Sequence, residues 1–502
     1  MTPTEVELKL LLPGAKAKTV EQTLARQPAL ASLPRRRQWL WNRYFDTPAQ
    51  DLRRQRSALR LRCVSDRAWP PGATADPPPG AWIQTFKTAG VSQGGLSRRG
   101  EWETGVAGAE LDRAALAATP WAGFDPDGQL FAQLQPCFDT RCRRTTWLVQ
   151  QADGSRIEVA LDVGEIAAAG LTLPMIELEL ELQAGDAGAL FEFARQIAAE
   201  VAVLPCDASK AERGYALALG LAHVPAKARP TRLAPQVAPL EAAQLAMGEM
   251  LEQFTRNLAG LAHSDEPELV HQARVAWRRW RSATRLLRPW LRDLPERAPL
   301  RPLLDTLGQL RDLDVARTET LPAWLADFSG DDRKRQLQGE AALTALAQAG
   351  EQQRAMARAR LAEPATGLGL LGLAQWLHAL STRADDASHQ KAERDWARAR
   401  ISRLLRRLDR ALEACEQDTG TALQQHQARL LAKRARYSVE TLHDLLPGKK
   451  ARRWIKTSSR VQTRIGADRD LLRCVELLRE LGQPSGLLDF LRGVAAARRR
   501  DG

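Results

Sequence analysis

Near residue 220 this chain changes its period, and no other feature restricts its fold as much. Before that point short runs alternate apolar and polar residues two by two: "VELKL", "ALRLRC", "WIQTFK", "GEWETGV", "IEVALDVG" and "IELELEL", separated by turns rich in Gly, Pro and Asp. A period of two predicts antiparallel strands, while "AKTVEQTLARQ" and "GALFEFARQIAAEV" carry helical spacing among them. After about residue 240 the chain turns to long Ala, Leu and Arg-rich segments with few β-branched residues, which predict helix almost throughout. A chain of 502 residues also exceeds one ordinary core. The expectation is an α+β protein of two domains, a sheet-based one over 1–220 and an all-α one over 240–502. The prolines of "HVPAKARPTRLAPQVAP" make 221–239 a stiff linker. A second proline-rich stretch, "DRAWPPGATADPPPGAW", reads as a surface loop between two strands.

The strands of the first half share an unusual charged face. A strand points successive side chains to opposite faces. In "TEVELKLLLP", residues 4–13, Val6, Leu8 and Leu10 therefore share one face and Glu5, Glu7 and Lys9 the other. In the same way Glu177, Glu179 and Glu181 fall together, as do Glu158 and Asp162, Arg60 and Arg62, and Thr85 with Lys87. Two architectures accommodate this. An open sheet leaves the charged face in water; a closed one turns it inward to line a tunnel, with helices over the apolar outside. Three glutamates in a row repel one another unless a cation sits between them. Mg²⁺ or Mn²⁺ would supply it, since hard divalent ions take carboxylate oxygens and share substrate phosphate, while Lys and Arg hold the remaining phosphate oxygens.

These segments resemble the CYTH domain of the triphosphate tunnel metalloenzymes. "EVELK" is similar to that family's opening E-x-E-x-K signature, followed in order by "YFDTPAQDL", "ALRLR", "TFK", "RGEWE", "ELELEL" and "SKAERGY". The resemblance implies an eight-stranded antiparallel β tunnel with covering helices that binds a linear triphosphate and a divalent metal. It implies metal ligation by Glu5, Glu7, Asp162, Glu177 and Glu179, and phosphate contacts from Lys9, Arg60, Arg62, Lys87 and Lys210, with Glu7 and Lys9 closest to the chemistry. One arginine of "TRCRRTTW" would join them, Arg144 in preference to Arg143. Glu181 extends the acidic face one step past the motif, and Glu101 and Glu103 either line the tunnel or pair with Arg98 and Arg99. No Walker loop is present, and "GVSQGG" reads as a hairpin turn.

The helical half carries a basic stripe written twice. In "HQARVAWRRWRSATRLLRP", His271, Arg274, Arg278, Arg281, Arg285 and Arg288 fall within roughly a third of a helix circumference. His426, Arg429, Lys433 and Arg436 of "HQARLLAKRARY" repeat the arrangement. Solvated faces interleave Glu with Lys; these stripes hold only positive charge and histidine through their first ten residues, so they repel themselves without an anion. "LGQLRDLDVA" and "IGADRDLLRC" echo each other at similar distances behind the stripes, pointing to duplicated helical bundles in which Asp312 and Asp470 hold nearby arginines. This half resembles a CHAD domain, which implies binding of inorganic polyphosphate along the stripes.

Composition agrees. Lys and Arg number 73 against 60 Asp and Glu, a net charge of +13 that selects an anionic partner. No stacking aromatics accompany the stripes, which argues against single-stranded nucleic acid. Six dispersed cysteines form no C-x-x-C pair, no leader is visible, and no apolar run approaches the ~20 residues of a membrane span, so a cytoplasmic protein without membrane attachment is expected. The expected function is a Mg²⁺- or Mn²⁺-dependent inorganic triphosphatase with a polyphosphate-binding second half. The alternatives are a non-catalytic polyphosphate scaffold, or a tunnel enzyme acting on ATP or thiamine triphosphate.

Overall fold

The computed structural model describes residues 4–68, 79–235, 237–381, 394–416 and 422–500; the side chains at 381, 394–395, 416, 422–423, 425–426, 461–468 and 499–500 lie outside that description. The described chain divides into two compact units, residues 1–224 with 361–375, and residues 225–360 with 376–502. The helical segment 361–375, which the sequence places in the second domain, thus groups with the first unit.

In the first unit, alternation produces a closed barrel. Its strands are β1 (Thr4–Leu11), β2 (Arg36–Asp46), β3 (Ala58–Ser65), β4 (Ala81–Lys87), β5 (Val91–Gln93), β6 (Leu96–Val106), β7 (Gln135–Gln150), β8 (Arg156–Ala168), β9 (Leu171–Ala184) and β10 (Leu204–Pro205). Eight of them run in the antiparallel order β1-β9-β8-β7-β2-β3-β4-β6, and β6 pairs back onto β1 to close the ring. Closure removes the sheet edge and settles the choice between open sheet and tunnel. The two further strands are short: β10 pairs with β1, and β5 forms the hairpin at "GVSQGG" through Gly94 and Gly95, both at positive φ. Glycine suits that turn because it takes positive φ without a steric penalty.

The apolar parity of the strands faces outward and is buried. Leu8, Leu10, Leu178 and Leu180 are fully covered, with β1 and β9 packed under helix α2 (Gly188–Ala198), whose Leu190, Phe191, Ala194 and Ile197 are buried. Helix α1 (Ala17–Arg26) lies outside as well, where Glu21 binds Arg37 of β2 at 2.6 Å and Arg143 of β7 at 2.8 Å. Helix α3 (Lys210–Ala218) has a different place. The parity that carries Tyr44, Arg144, Asp162 and Glu177 inward also carries Leu40, Phe138, Ile166 and Met175, and Tyr215 and Leu217 of α3 pack on that inner cluster. α3 therefore stops one end of the barrel. A capping box orients it: the Glu212 amide donates to Ser209 Oγ at 3.1 Å, and the Ser209 amide donates to Glu212 Oε2 at 2.8 Å. Gly214 lets it come close, since a Cβ there would stand 2.1 Å from the Phe138 ring.

The second unit is helical: α4 (Pro239–Leu261), α5 (Pro267–Leu287), α6 (Arg301–Val315), α7 (Arg333–Leu361), α8 (Pro364–Ser381, which begins within the first unit), α9 (Arg394–Glu416), α10 (Ala422–Thr441), α11 (Gly448–Glu480) and α12 (Ser485–Arg500). α5 packs on α4, α6 and α10, and α10 also packs on α9 and α11. One core joins Leu313, Leu346, Leu478 and Leu491; a smaller one joins Leu404 and Leu408 of α9 to Ala432 and Ala435 of α10. Trp277 and Trp280 of α5 are buried core residues. Before Pro239, which opens α4, the proline-rich stretch has no regular structure among its described residues, yet it is not a free tether. Asn257 of α4 bonds both the amide and the carbonyl of Ala226, and Asp444 accepts from the Leu233 amide at 3.0 Å.

Candidate active site and basic clusters

Strand register, more than any loop, assembles the lumen. Residues directly opposite in an antiparallel ladder share a face, and here Glu5 stands opposite Arg99, Lys9 opposite Glu179, Asp162 opposite Glu177, Arg144 opposite Asp162, Thr85 opposite Glu103 and Lys87 opposite Glu101. The result is a polar cavity of about 440 Å³. Seven carboxylates (Glu5, Glu7, Glu101, Glu103, Glu158, Glu179, Glu181) and seven cations (Lys9, Arg60, Arg62, Lys87, Arg99, Arg144, Lys210) line it.

The charges fall into three neighbourhoods. Around β1, Lys9 lies 2.9 Å from Glu7, and Arg99 donates to Glu5 at 2.9 Å and to Glu7 at 2.6 Å. On β3, β4 and β6, Lys87 bridges Glu5 (3.0 Å) and Glu101 (2.7 Å), while Arg60 reaches Glu101 and Glu103 at 3.3 Å each. Arg62 lies 3.8 Å from Glu103 and donates to Asn42 at 2.8 Å. On β7, β8, β9 and α3, Arg144 holds Asp162 (2.7 Å) and Glu179 (2.6 Å), and Lys210 holds Asp162 (2.8 Å), Glu179 (2.7 Å) and Glu177. Arg213, one turn on from Lys210, also binds Glu177.

The third neighbourhood fits a cation. One oxygen each from Asp162, Glu177 and Glu179 lies within 4.8 Å of the other two, and hard carboxylate oxygens are what a divalent ion of the Mg²⁺ type takes. Burial opposes ionisation of Asp162, but the Arg144 guanidinium and Lys210 ammonium outweigh it and hold its pKa down to about 2. Burial opposes ionisation of Glu179 too, and Lys210, Arg144 and Lys9 keep it well below the usual carboxylate range. At neutral pH both are therefore carboxylates, the state in which they can ligate. Glu5 and Glu7 sit apart from this trio, with Arg99 and Lys87, so the five carboxylates named from the sequence divide into a trio and a pair. Glu181 differs: burial, then Glu5, Glu158 and Glu101, push it up to about 7.

Of the residues open in the sequence, Arg144 turns inward and Arg143 outward to Glu21, and Glu101 and Glu103 line the lumen. Arg99 and Tyr44 line the lumen and Arg213 backs it through Glu177, places the sequence did not assign to them. Arg99 became visible only with the closing β1–β6 register. Arg213 follows Lys210 by three residues, a helical spacing that could have flagged it. Tyr44 lies inside, stacked on Phe138 at 4.5 Å and hydrogen-bonded to Arg60.

The stripes of the helical unit separate on folding. Arg274 and Arg278 of α5 meet Arg429 and Lys433 of α10 and Arg469 of α11. Asp312 and Asp470 sit among them, Asp312 held by Arg473 at 3.3 Å and Asp470 lying 3.9 Å from Arg429. His271 is half-buried near this cluster, and burial followed by Arg311 lowers its pKa. Burial, then Arg429 and Arg278, bring Lys433 from 10.5 down to about 7. Arg281 and Arg285 group elsewhere, with Arg297 and Arg434. Arg288 donates to the Leu291 carbonyl at the end of α5. Arg436 departs from its stripe to pair with Glu440 at 3.5 Å and lie over the Tyr437 ring. The side chain of His426 lies outside the described residues.

Comparison with known proteins follows the same division. The sequence matches the CYTH domain family over residues 3–215 and the CHAD domain family over residues 245–479. It is 33% identical over 214 residues to an inorganic triphosphatase of Haemophilus influenzae, a match that covers 42% of this chain and only 54% of that protein's length. Among solved structures it is similar to the CHAD domain of the plant Ricinus communis (27% identity, 55% of this chain and 92% of that one, TM-score 0.48). It is also similar to a Hippeastrum protein described as an adenylyl cyclase with a dominant triphosphatase activity (20% identity, 42% and 95%, TM-score 0.28). No helix among the described residues is long and apolar enough to cross a membrane.

Proposed function

The chain is a CYTH domain followed by a CHAD domain, and from that premise we propose that it hydrolyses inorganic triphosphate with Mg²⁺ or Mn²⁺ and binds inorganic polyphosphate on its helical half. The observation that carries the reading is the mixed lumen. Carboxylates and cations line it side by side, and Asp162, Glu177 and Glu179 are grouped so that a divalent ion held there would offset part of the charge an incoming triphosphate brings. When bound, such an ion draws electron density from phosphoryl oxygens and makes a neighbouring water more acidic.

The chain's own residues do the rest. Lys9, Arg60, Arg62, Lys87, Arg144 and Lys210 exchange their carboxylate partners for phosphate oxygens, which fixes the anhydride in a preorganised field. Glu7 takes a proton from the attacking water as its oxygen bonds to the terminal phosphorus. The anhydride P–O bond breaks, and the electron pair stays on the leaving oxygen, offset by Lys9 beside Glu7. The lining favours an inorganic substrate over a nucleotide or thiamine ester. Among the described residues Tyr44 is its one aromatic, and that ring is already stacked on Phe138. Phosphate release from triphosphate, ATP, thiamine triphosphate and long-chain polyphosphate, with Mg²⁺ or Mn²⁺ and with chelator, tests this directly. Release from inorganic triphosphate only with metal is expected; equal turnover in chelator, or a cyclic nucleotide product from ATP, overturns it.

On the helical half, Lys433 makes polyphosphate binding proton-linked. Its pKa in the free protein lies near 7 against 10.5 in the unfolded chain, so above pH 7 it is largely neutral until an anion restores its charge. Binding at pH 8 should therefore take up protons and should weaken as pH rises from 7 to 9. Calorimetric titration in two buffers of different ionisation enthalpy reads the uptake, and Lys433→Gln should remove most of it.

A further inference from the structure

The stripe on α5 divides into two anion sites, and α9, which the sequence reading passed over, builds the second. Seven residues separate Arg278 from Arg285, roughly 10 Å along the helix axis, and the two ends meet different partners. Lys433 and Arg434 are neighbours on α10, turned ~100° apart; Lys433 faces the Arg278 end, and Arg434 faces Arg285 together with Arg400 and Arg407 of α9. Arg400 donates to the carbonyls of Arg285 and Leu286, at 3.4 and 3.0 Å, and so pins α9 to the end of α5.

The two groups differ in charge balance. The Arg278 end contains Asp312 and Asp470. At the other end, the charged groups acting on Arg281 and Arg434 are, among the described residues, all arginines. Arg434 is half-buried, and its Nε is buried without a hydrogen-bond partner. A solvated helix face does not force that arrangement, since exposed arginines turn away from one another into water. Converging cations with a partnerless buried N–H are instead the complement of an anion.

We propose that Arg281, Arg285, Arg400, Arg407 and Arg434 form a second phosphate-binding station, which takes the distal phosphates of a polyphosphate chain whose near end lies at the Arg278–Lys433 cluster. The inference rests on the reading of the helical half as a polyphosphate binder. A chain that occupies both stations gains avidity that a shorter one lacks, because the second contact is intramolecular. Polyphosphate is favoured over single-stranded RNA because the five residues of the station are all arginines, with no aromatic ring among them to stack a base.

The test uses the full chain in chelator, with long-chain polyphosphate titrated over a range of salt. Arg285→Gln/Arg434→Gln should weaken binding about 10- to 100-fold and reduce the salt slope by about 1.4, from ~0.7 per cation lost. It should leave triphosphate hydrolysis and thermal unfolding at parent values, and Arg285→Lys/Arg434→Lys should restore most of the affinity. Parent affinity and slope in the glutamine pair overturn the second station. If the parent protein fails to bind polyphosphate, or Arg278→Gln/Lys433→Gln binds as the parent does, it is the earlier reading that fails. Displacement of polyphosphate by RNA at equal phosphate concentration overturns the choice of ligand.

Discussion

Glu179→Gln is expected to lower triphosphate hydrolysis by about two to three orders of magnitude, the scale on which removal of a central electrostatic group from a preorganised site is felt. Glu179 stands between the two halves of the third neighbourhood, accepting from Arg144 at 2.6 Å and Lys210 at 2.7 Å and completing the trio with Asp162 and Glu177. Glutamine keeps the volume but removes the charge that a divalent ion would share, so the defect should appear as both a lower kcat and a higher metal concentration at half-activation. Neighbouring cations keep Asp162 as a partner, and the fold should persist. Steady-state phosphate release across a metal titration checks this; a variant with the parent's metal dependence would show that the trio is a structural ion-pair network only.

Asp162→Ala should be the most damaging single change to the tunnel's stability. Asp162 is 0% exposed and accepts from both Arg144 and Lys210. Its removal leaves two buried cations with one carboxylate fewer, and breaking a buried ion pair from one side costs about 3–5 kcal/mol. Glu177 and Glu179 offset part of this, so a loss of about 3 kcal/mol is expected. Scanning calorimetry should show the tunnel's transition moving down while that of the helical unit stays. The sign with pH follows from its depressed pKa: the stabilisation is complete above the unfolded value near 3.8 and fades as pH falls toward about 2, so parent and variant should converge in acid. A difference that persists unchanged at low pH would place the loss in packing instead.

Much of the site was legible from alternation. Glu5, Glu7, Lys9, Arg60, Arg62, Lys87, Arg144 and Glu179 all line the cavity, because a strand's period of two leaves no choice about which side chains share a face. The identity of each ion pair was not legible. Glu5 meets Arg99 only because β6 closes onto β1, a contact between segments some ninety positions apart, and nothing in either segment alone announces it. The same holds for α3: "SKAERGY" shows a capped helix, but only the inward Phe138 and the space at Gly214 make it a stopper rather than a cover.

On the helical half, periodicity places Arg278 and Arg285 on one face, yet Arg278 meets Lys433 of α10 whereas Arg285 meets Arg434 of α10 together with α9, and Arg436 left its stripe for Glu440. Residue order alone determined two domains of different period, the parity of every strand and the sign of every charged face, since these depend on neighbours in the chain. Which strands meet to close the lumen, which carboxylate faces which cation, and how one stripe becomes two clusters were decided by packing. They depend on registers and helix contacts whose energies arise only when distant segments exclude water together.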